Sequence, residues 1–493
     1  MRFGWLVLGM AAALAAGQAR ADLVVSNKAT QNVNCANGVC TATAVNAVLN
    51  ANDLATLLAA GDLKVQTGAG ALNIVVKAPL SWTSASRLTF EAGLSVQIDK
   101  PVSVTGSGAM TITTNEDETT GDLMFDGQGD ITFWDTGSSL VINGQNFTLV
   151  TDIATLATDV ANDPSGAYAL ANDYDASVDG TYSSSPVTTE LTGTFEGLGH
   201  AISNLTINSS DLWVGLFSEA RGTLRDIGLR KVAITASGRI GIAGSLLSLS
   251  DVSNIIGCYS TGSITEESGV AGGLIGESKS SSEGLLTRSH SAVAVKASGS
   301  AIVGGLIGGS AFTISLSYAT GTVTTGKNGS AGGLVGGGNG SWSQSYALGA
   351  VNAGANSVVG GFIGEASGDI SNTYARGAVT SGKDSSVGGF VGKMLSAQVN
   401  TSYSTGLVQG GKFAGGFLGA NVGGHFFADY FDTDTSGKTR HQGCGGGGCG
   451  GAIKGLTTEK FQVALPVGFD PNIWAEKQGI NNGYPYLIAI PPE

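Results

Sequence analysis

The sequence predicts an all-β fold, a right-handed parallel β-helix solenoid closed by short helical or irregular end caps. The first observation is a phrase of two glycines, two apolar residues and a third glycine, which recurs at steps of 32, 28, 28, 28 and 27 residues. A period of this size is typical of stacked repeat units, because one unit cannot bury its own apolar face. The phrase begins at Gly272, Gly304, Gly332, Gly360, Gly388 and Gly415.

The second observation is the composition. The 493 residues include 78 glycines and 9 prolines, and 13% of the residues are charged. This composition favours turns and short strands over helices. The glycines follow no three-residue period, which excludes collagen, and 42% apolar residues recurring in register argue against disorder.

The third observation is a phrase of the form S-Y-x-x-G-x-V that keeps the same step. We expect its tyrosines to form an internal ladder with one ring in each rung, and the glycines to serve corners that need positive φ or close backbone approach. The alternative is an exposed aromatic stripe for glycan stacking. A degenerate copy has His290 in the tyrosine place, and the tyrosines are Tyr259, Tyr318, Tyr346, Tyr374 and Tyr403.

The first element, residues 1–21, is predicted to be a secretory signal peptide. Arg2 supplies the positive charge, the apolar run from Trp5 to Ala16 is too short to span a bilayer, and an A-x-A sequence ends at Ala21. An N-terminal anchor is the alternative. No later segment has the length and apolarity of a transmembrane helix, so we expect a mature chain without a transmembrane segment.

The next elements are an N-terminal cap over residues 22–71 and irregular β-helix rungs over residues 72–150, read as a continuation of the same coil. A helix is expected from Asp53 to Ala60, because Asp is a common helix cap and the body is rich in Leu. Atypical ends of this kind protect the open edges of solenoids.

Residues 151–213 are predicted to be a helix-containing connector with an opening rung, the helix running from Asp152 to Val160. Residues 214–424 are the main array of about eight rungs. Residues 425–493 break the period, and their late aromatics and prolines predict a C-terminal cap over the last rung.

The spacing of the cysteines is typical of an exported protein. Cys35 and Cys40 lie five apart around an Asn-Gly turn, and Cys444 and Cys449 flank four glycines, so each pair is a disulfide candidate. Cys258 is left over inside the array and is expected to be buried. Zinc bound by His441, Cys444 and Cys449 is an alternative for the second pair.

The charge excludes some partners. The net charge is −13, and the stretch from Asp99 to His200 holds sixteen acids and one base. We therefore expect no nucleic-acid partner and repulsion from anionic lipid.

Neither a catalytic nor a cofactor site is predicted. No histidine starts an H-E-x-x-H metalloprotease motif. Glu277 and Glu365 are the best carboxylate pair, but three rungs separate them by roughly 14 Å, beyond the ~5 to 9.5 Å of glycoside hydrolysis. They are interpreted as solvated turn acids. The stretch from Asp432 to Gly437 is similar to the start of a calcium loop but lacks its final Glu, so calcium stays a minor alternative.

The two phrases together resemble the GLUG motif of bacterial exported proteins. The stretch from Trp82 to Thr113 is similar to the strand repeats of filamentous-haemagglutinin-like adhesins, and Asn481 to Leu487 resembles a tail common after GLUG arrays. The resemblance covers most of the mature chain. It implies a surface protein of adhesin type, although the family also includes stalks of large proteases. The Asn-Pro-Asn-rich secretion signature is missing, and so is a C-terminal membrane barrel.

We therefore expect a secreted or cell-surface structural or adhesion protein, not an enzyme, that presents an extended β-helical surface. Its partner is expected to be a surface glycan or protein, with an outer-membrane export partner, and the location extracellular, cell-surface or periplasmic. The alternatives are a polysaccharide lyase or glycoside hydrolase on the same scaffold, which a panel of acidic polysaccharides separates, and a stalk without binding activity.

Overall fold

The computed structural model describes residues 21–116, 121–251, 253–279, 284–449 and 451–492. Over these ranges the chain is nearly all β and forms a parallel β-solenoid of about 15 turns with three short α-helices. The predicted fold class is confirmed, while the right-handed sense stays a prediction. The predicted signal peptide lies outside the described residues except for Ala21.

The first coil covers residues 22–142 and stacks its strands in three sheets, which are parallel except for the antiparallel pair Val33–Ala36 and Val39–Ala42. Asp22 pairs with Asn73 and Ile74 pairs with Val96, so equivalent residues lie one above another and bury an apolar core. The predicted N-terminal cap, 22–71, is thus corrected, because its strands are rungs. The strands are Asp22–Ser26, Ala47–Asn50, Asn73–Val76, Val96–Ile98 and Leu123–Phe125; Leu80–Trp82, Val102–Val104 and Ile131–Phe133; and Val33–Ala36, Val39–Ala42, Leu63–Gln66, Arg87–Glu91, Ala109–Thr113 and Leu140–Ile142.

A hairpin at Asn143 and Gly144 ends the first coil. Ile142 pairs with Gln145 across a two-residue turn whose φ angles are 49° and 80°, the combination that a type I′ turn requires. The following strand is antiparallel to its predecessor and parallel to its successor. The interpretation of residues 72–150 as one continuous coil is therefore wrong, since strand direction reverses at this Asn-Gly pair.

The second coil has three faces, and its third face carries the predicted array. That face counts eight strands from Phe217 to Asn421, which matches the expected number of rungs, and a ninth strand, Cys444–Gly446, continues it. The predicted break at His425 is therefore corrected, because residues 425–456 form a further rung. The third-face strands are Phe217–Ala220, Leu247–Ser250, Ile275–Ser278, Ile307–Ser310, Val335–Gly338, Ile363–Ala366, Val391–Met394, Leu418–Asn421 and Cys444–Gly446.

The other two faces begin earlier in the chain than the third face. The first face holds Gln145–Val150, Ala167–Leu170, Thr194–Glu196, Thr223–Arg225, Asn254–Ile256, Leu285–Thr287, Thr313–Ser315, Ser341–Ser343, Ile370–Ser371, Gln398–Asn400 and His425–Phe427. The second face holds Tyr174–Asp175, Thr181–Tyr182, Ala201–Ser203, Thr206–Ser209, Trp213–Val214, Gly228–Gly244, Tyr259–Gly272, His290–Ala297, Ile302–Gly304, Tyr318–Ala319, Val323–Thr325, Ser330–Gly332, Tyr346–Ala347, Val351–Ala353, Val358–Gly360, Tyr374–Ala375, Val379–Ser381, Ser386–Gly388, Tyr403–Ser404, Val408–Gly410, Phe413–Gly415, Asp429–Asp432 and Ile453–Leu456.

The glycine phrase forms the corner between the second and third faces. A Cβ on Gly332 would lie 1.9 Å from the carbonyl oxygen of Val335, and the same contact recurs at the first glycine of every copy. None of these six glycines has a positive φ. Close backbone approach, rather than left-handed backbone, is therefore what requires glycine here.

The serine that begins most copies of the second phrase has a structural role. Ser317 is fully buried, and its Oγ accepts from the N–H of Ser289 and donates to the carbonyl of Ser315. Ser345 repeats this pattern one rung on. Cys258 starts the same column, buried and free as expected, and its N–H donates to the Oγ of Ser289.

The tyrosines form a ladder outside the coil, which corrects the expected internal position. Tyr346 faces away from the core while Ala347 lies within it, and the rings belong to a separate cluster. Consecutive ring centroids from Tyr259 through His290 to Tyr403 lie 4.6 to 5.2 Å apart with nearly parallel planes. Each rung thus contributes one ring to a stack on the outer surface.

The C-terminal segment covers part of this ladder instead of the end of the coil. The Trp474 ring lies 6.0 Å from Tyr374 and 5.9 Å from Tyr403. Asn481 donates to the hydroxyl of Tyr403 and accepts from Arg376. The segment closes on itself with the antiparallel pair Trp474–Ala475 and Tyr486–Leu487. The predicted cap over the last rung is therefore a flap along the side.

The three helices are α1 (Ala51–Ala60), α2 (Ile153–Asn162) and α3 (Thr458–Val463). The first two lie where the sequence predicts them. The N-cap of α1 is Asn50 rather than Asp53, whereas Asp152 caps α2 as expected, accepting from the N–H of Thr155. Short 3₁₀ turns occur at Gly68–Gly70, Ala176–Asp179 and Asn481–Gly483.

Candidate functional site

The candidate site is a groove of about 1090 Å³ that runs along the axis of the second coil, beside the glycine corners. We call it the axial groove. Its floor is one column of the third face, in which Glu277, Gly309, Gly337 and Glu365 pair in register from rung to rung. The floor therefore has a glutamate at each end and two glycines between them.

The floor glycines differ from the corner glycines. A Cβ on Gly337 would meet nothing nearer than the carbonyl oxygen of Glu365 at 3.4 Å, which is an ordinary contact. A Cβ on Gly309 would meet the Glu277 side chain at 3.1 Å. Glycine is thus not needed here for backbone reasons, and its effect is to leave space above the floor.

The walls are amphiphilic. One wall carries Ile302, which is 40% exposed, followed by Ser330 and Val358 at the same register position of the next rungs. The opposite wall includes Asn339, and Asn328 stands at a turn. The groove therefore offers amide and hydroxyl groups beside an aliphatic strip, the mixture that small-molecule and polymer sites use.

The groove has few unpaired charged groups among its described residues. Burial raises the pKa of the Glu277 carboxyl. Glu365 lies 3.1 Å from the Nζ of Lys393, and Lys279 is paired with Glu219. Most charge at the groove is thus neutralised within the protein, and Glu277 is left as the carboxyl group with the altered pKa.

The two glutamates are half-buried strand residues, not the solvated turn acids expected from the sequence. Their register confirms a separation of three rungs, roughly 14 Å. A retaining or inverting glycosidase needs its carboxyl groups at about 5 to 9.5 Å. The pair is therefore placed to contact two parts of one extended ligand rather than one glycosidic bond.

The tyrosine ladder cannot stack on a glycan. Both faces of each inner ring are covered by its neighbours, and the outer face of Tyr259 lies against the backbone of Gly228, where a Cβ would be 2.3 Å from Cζ. Burial lowers the pKa of His290 to about 4, so this ring stays neutral within the stack. Since ring faces stack on sugars and edges do not, the ladder is structural.

The other predicted site residues lie apart from the groove. Cys35 is bonded to Cys40, and Cys444 is bonded to Cys449. With both sulfurs bonded to each other, the zinc alternative is not favoured. Within the described ranges no group of three or more His, Cys, Asp or Glu is placed to hold a metal ion.

The loop similar to a calcium site holds the C-terminal flap instead. Asp432 is fully buried, and its Oδ1 accepts from the N–H groups of Asp434 and Thr435. Its Oδ2 accepts from the hydroxyls of Thr458 and Tyr484. Because four donors already satisfy this carboxylate, its role is that of an anchor.

Sequence reasoning missed a buried cluster where the two coils meet. Arg225 lies 3.0 Å from Glu196, 3.0 Å from Asp226 and 2.7 Å from Asp122 of the first coil. Burial raises the pKa of Glu196 well above its ordinary value and that of Asp226 to about 6. No sequence pattern marks the cluster, because Asp122 and Arg225 are 103 residues apart.

Sequence reasoning also missed the axial groove. The signal was present, since the residue after each glycine phrase reads Glu, Gly, Gly, Glu and Lys from the first copy to the fifth. That column is the place where otherwise similar copies differ. Finding it required knowing that this position faces outward.

No helix in the described part of the chain has both the length and the apolarity needed to cross a membrane. No protein-family model matches the chain, and no curated protein matches it in sequence.

Two solved structures are similar to the chain. One is an IgA1 protease, with a TM-score of 0.40 and 20% identity over 51% of this chain and 21% of that chain. The other is a candidate immunoglobulin A1 protease from Bacteroides ovatus, with a TM-score of 0.38 and 20% identity over 70% of this chain and 92% of that chain. The chain spans about a fifth of the length of the first. At these values neither likeness bears on function.

Proposed function

We propose that the chain is an exported, surface-associated adhesion protein without catalytic activity, and that it binds a linear glycan of a cell surface or matrix along the axial groove. The observation that carries this proposal is the floor of Gly309 and Gly337 between two glutamates. A straight groove that follows the coil axis suits a linear polymer better than a compact molecule.

The lining supports a glycan rather than a charged polymer. Amides such as those of Asn328, Asn339 and Asn356 donate and accept at once, which matches neighbouring sugar hydroxyls. The aliphatic side chains of Ile302 and Val358 can cover the apolar faces of the rings. Glu277, with its raised pKa, serves as a further hydrogen-bonding group.

The test is the removal of one rung. Gly309 and Gly337 occupy equivalent positions, so excising residues 309–336 joins Gly308 to Gly337 in register and shortens the groove. We expect the shortened chain to keep its circular dichroism spectrum and to bind immobilised cell-surface or matrix glycans more weakly than the full chain. Unchanged binding would remove the groove from the proposal.

Two further measurements address the rest of the proposal. Protease shaving of intact cells should release fragments of the array if the chain is exposed at the surface. A panel of acidic and neutral polysaccharides should stay undigested, and turnover of any of them would favour the carbohydrate-active enzyme instead.

A further inference from the structure

A second concave site lies at the end of the second coil, far from the axial groove in sequence. It has a volume of about 880 Å³ and is formed by the last strands, Cys444–Gly446 and Ile453–Leu456, with the loop before them and the first turn of α3. We call it the basic pocket. Arg440, His441, Lys454 and Lys460 line it, and none of the described residues of its lining is acidic.

The three cations of the basic pocket, Arg440, Lys454 and Lys460, have no carboxylate partner among the described residues. Their side chains are exposed, and within the described ranges no carboxylate lies at ion-pair distance from any of them. Some cations elsewhere do have carboxylate partners: Lys64 lies 2.7 Å from Glu91, and Lys393 lies 3.1 Å from Glu365.

The local charge is opposite to that of the whole chain. From Lys438 to Lys460 the sequence has four bases and one acid, although the net charge of the chain is −13. Like charges grouped without counter-charges repel one another, so the cluster weakens the fold slightly unless an anion occupies it.

The backbone holds the cluster together. A Cβ on Gly455 would lie 2.8 Å from the Cα of Arg440, so glycine at this strand position lets the Arg440 segment approach Lys454. The disulfide between Cys444 and Cys449 fixes the glycine loop that forms another wall. The close backbone contact at Gly455 therefore places Arg440 beside Lys454.

We propose that the basic pocket binds the acidic groups of an anionic polysaccharide, with Arg440 and the two lysines contacting sulfate or carboxylate groups. Arginine matches such planar or tetrahedral oxyanions with paired donors, and lysine adds point charges. The volume exceeds that of a single inorganic anion and suits one or two sugar units. This site is independent of the axial groove and of the proposed function.

The experiment compares dextran sulfate with neutral dextran of the same length, using the full mature chain. The test variant carries Arg440→Gln, Lys454→Gln and Lys460→Gln. The control carries Lys327→Gln, Lys383→Gln and Lys477→Gln, which changes the net charge equally at exposed sites outside the pocket. Thermal melting checks that both variants remain folded.

We expect the wild-type chain to bind dextran sulfate and not dextran, with an affinity that falls as salt rises. The pocket variant should lose about tenfold or more in affinity, while the control stays within about twofold. Equal losses in both variants, no binding by the wild type, or pocket-dependent binding of phosphatidylglycerol vesicles without dextran sulfate binding would each overturn the assignment. Competition by inorganic phosphate alone at equal strength would also contradict a polysaccharide site.

Discussion

The two coils stack parallel strands in the same way, yet only the second one repeats its sequence. In the first coil the core rows are apolar, as where Ile74 lies between Leu23 and Val96. Apolar side chains pack on one another without directional bonds, so Leu, Ile and Val can replace each other. In the second coil, Ser317 must bond to the copies of itself above and below. The sequence therefore repeats where a residue forms a hydrogen bond with the equivalent residue of the next rung.

The seam between the two coils, where Arg225 lies, should be the place where a substitution lowers the free energy of unfolding most. Replacing Arg225 with Met leaves Glu196 and Asp226 buried without their cation, and we expect a loss of about 3–5 kcal/mol in the free energy of unfolding. Urea unfolding at neutral pH measures this loss. The control, Arg221→Met, breaks ion pairs of an exposed arginine with Glu190 and Asp251 and should cost less than about 1 kcal/mol. Equal costs would show that the seam does not hold the coils together.

The corner glycines should be the next most sensitive. A Cβ at Gly332 meets the Val335 carbonyl at 1.9 Å, so Gly332→Ala must shift the backbone and should cost about 2–3 kcal/mol. Gly337→Ala, five residues later, has room for its Cβ and should change stability by less than about 0.5 kcal/mol. Thermal unfolding of the two variants compares them, and similar melting temperatures would contradict the close-approach explanation.

Glu266, on a strand of the second face, gives a pH-dependent prediction. Glu266 pairs with Ala236 and Ala297, is fully buried, and has no hydrogen-bond partner for either carboxylate oxygen. Burial raises its pKa from 4.5 to about 7. The folded chain therefore holds this proton more tightly than the unfolded chain, and stability falls as the pH rises from about 4.5 to about 7.

The variant Glu266→Gln should lack this loss. The free energy of unfolding of the variant minus that of wild type should rise by up to about 3 kcal/mol from pH 4 to pH 8, since one pKa unit corresponds to about 1.36 kcal/mol. Chemical unfolding across this pH range measures the gain. A difference in the free energy of unfolding that does not change with pH would mean that Glu266 has the same pKa in the folded and unfolded chains.

The flap should show the smallest effect on global stability. Trp474→Ala removes the contact with Tyr374 and Tyr403, but the coil beneath keeps its own core. We expect faster proteolytic cleavage within residues 457–492 and little change in the main unfolding transition. Tyr259→Ala, at the end of the ladder that the flap does not cover, should leave this cleavage unchanged.

The sequence predicted the fold class, the eight rungs and two helices, because the phrases and caps act locally. It did not predict that the tyrosines face outward. The alternation of Tyr346 and Ala347 is equally compatible with the tyrosine facing the core and with the alanine facing it. The reversal at Asn143 and Gly144 was marked by a strong hairpin signal that the expectation of a continuous coil overrode. The seam around Arg225 depends on distant partners, so no local pattern could reveal it.

The central claim, that the axial groove is the ligand-binding face, is tested most directly by filling it. Gly337→Trp places a large ring above the floor without a backbone clash, and Thr380→Trp places the same ring on the exposed second face as a control. Binding to an array of neutral cell-surface and matrix glycans is measured for both folded variants. We predict that Gly337→Trp loses at least about tenfold in affinity while Thr380→Trp binds like wild type. Retained binding by Gly337→Trp, or equal loss in both, would contradict the claim.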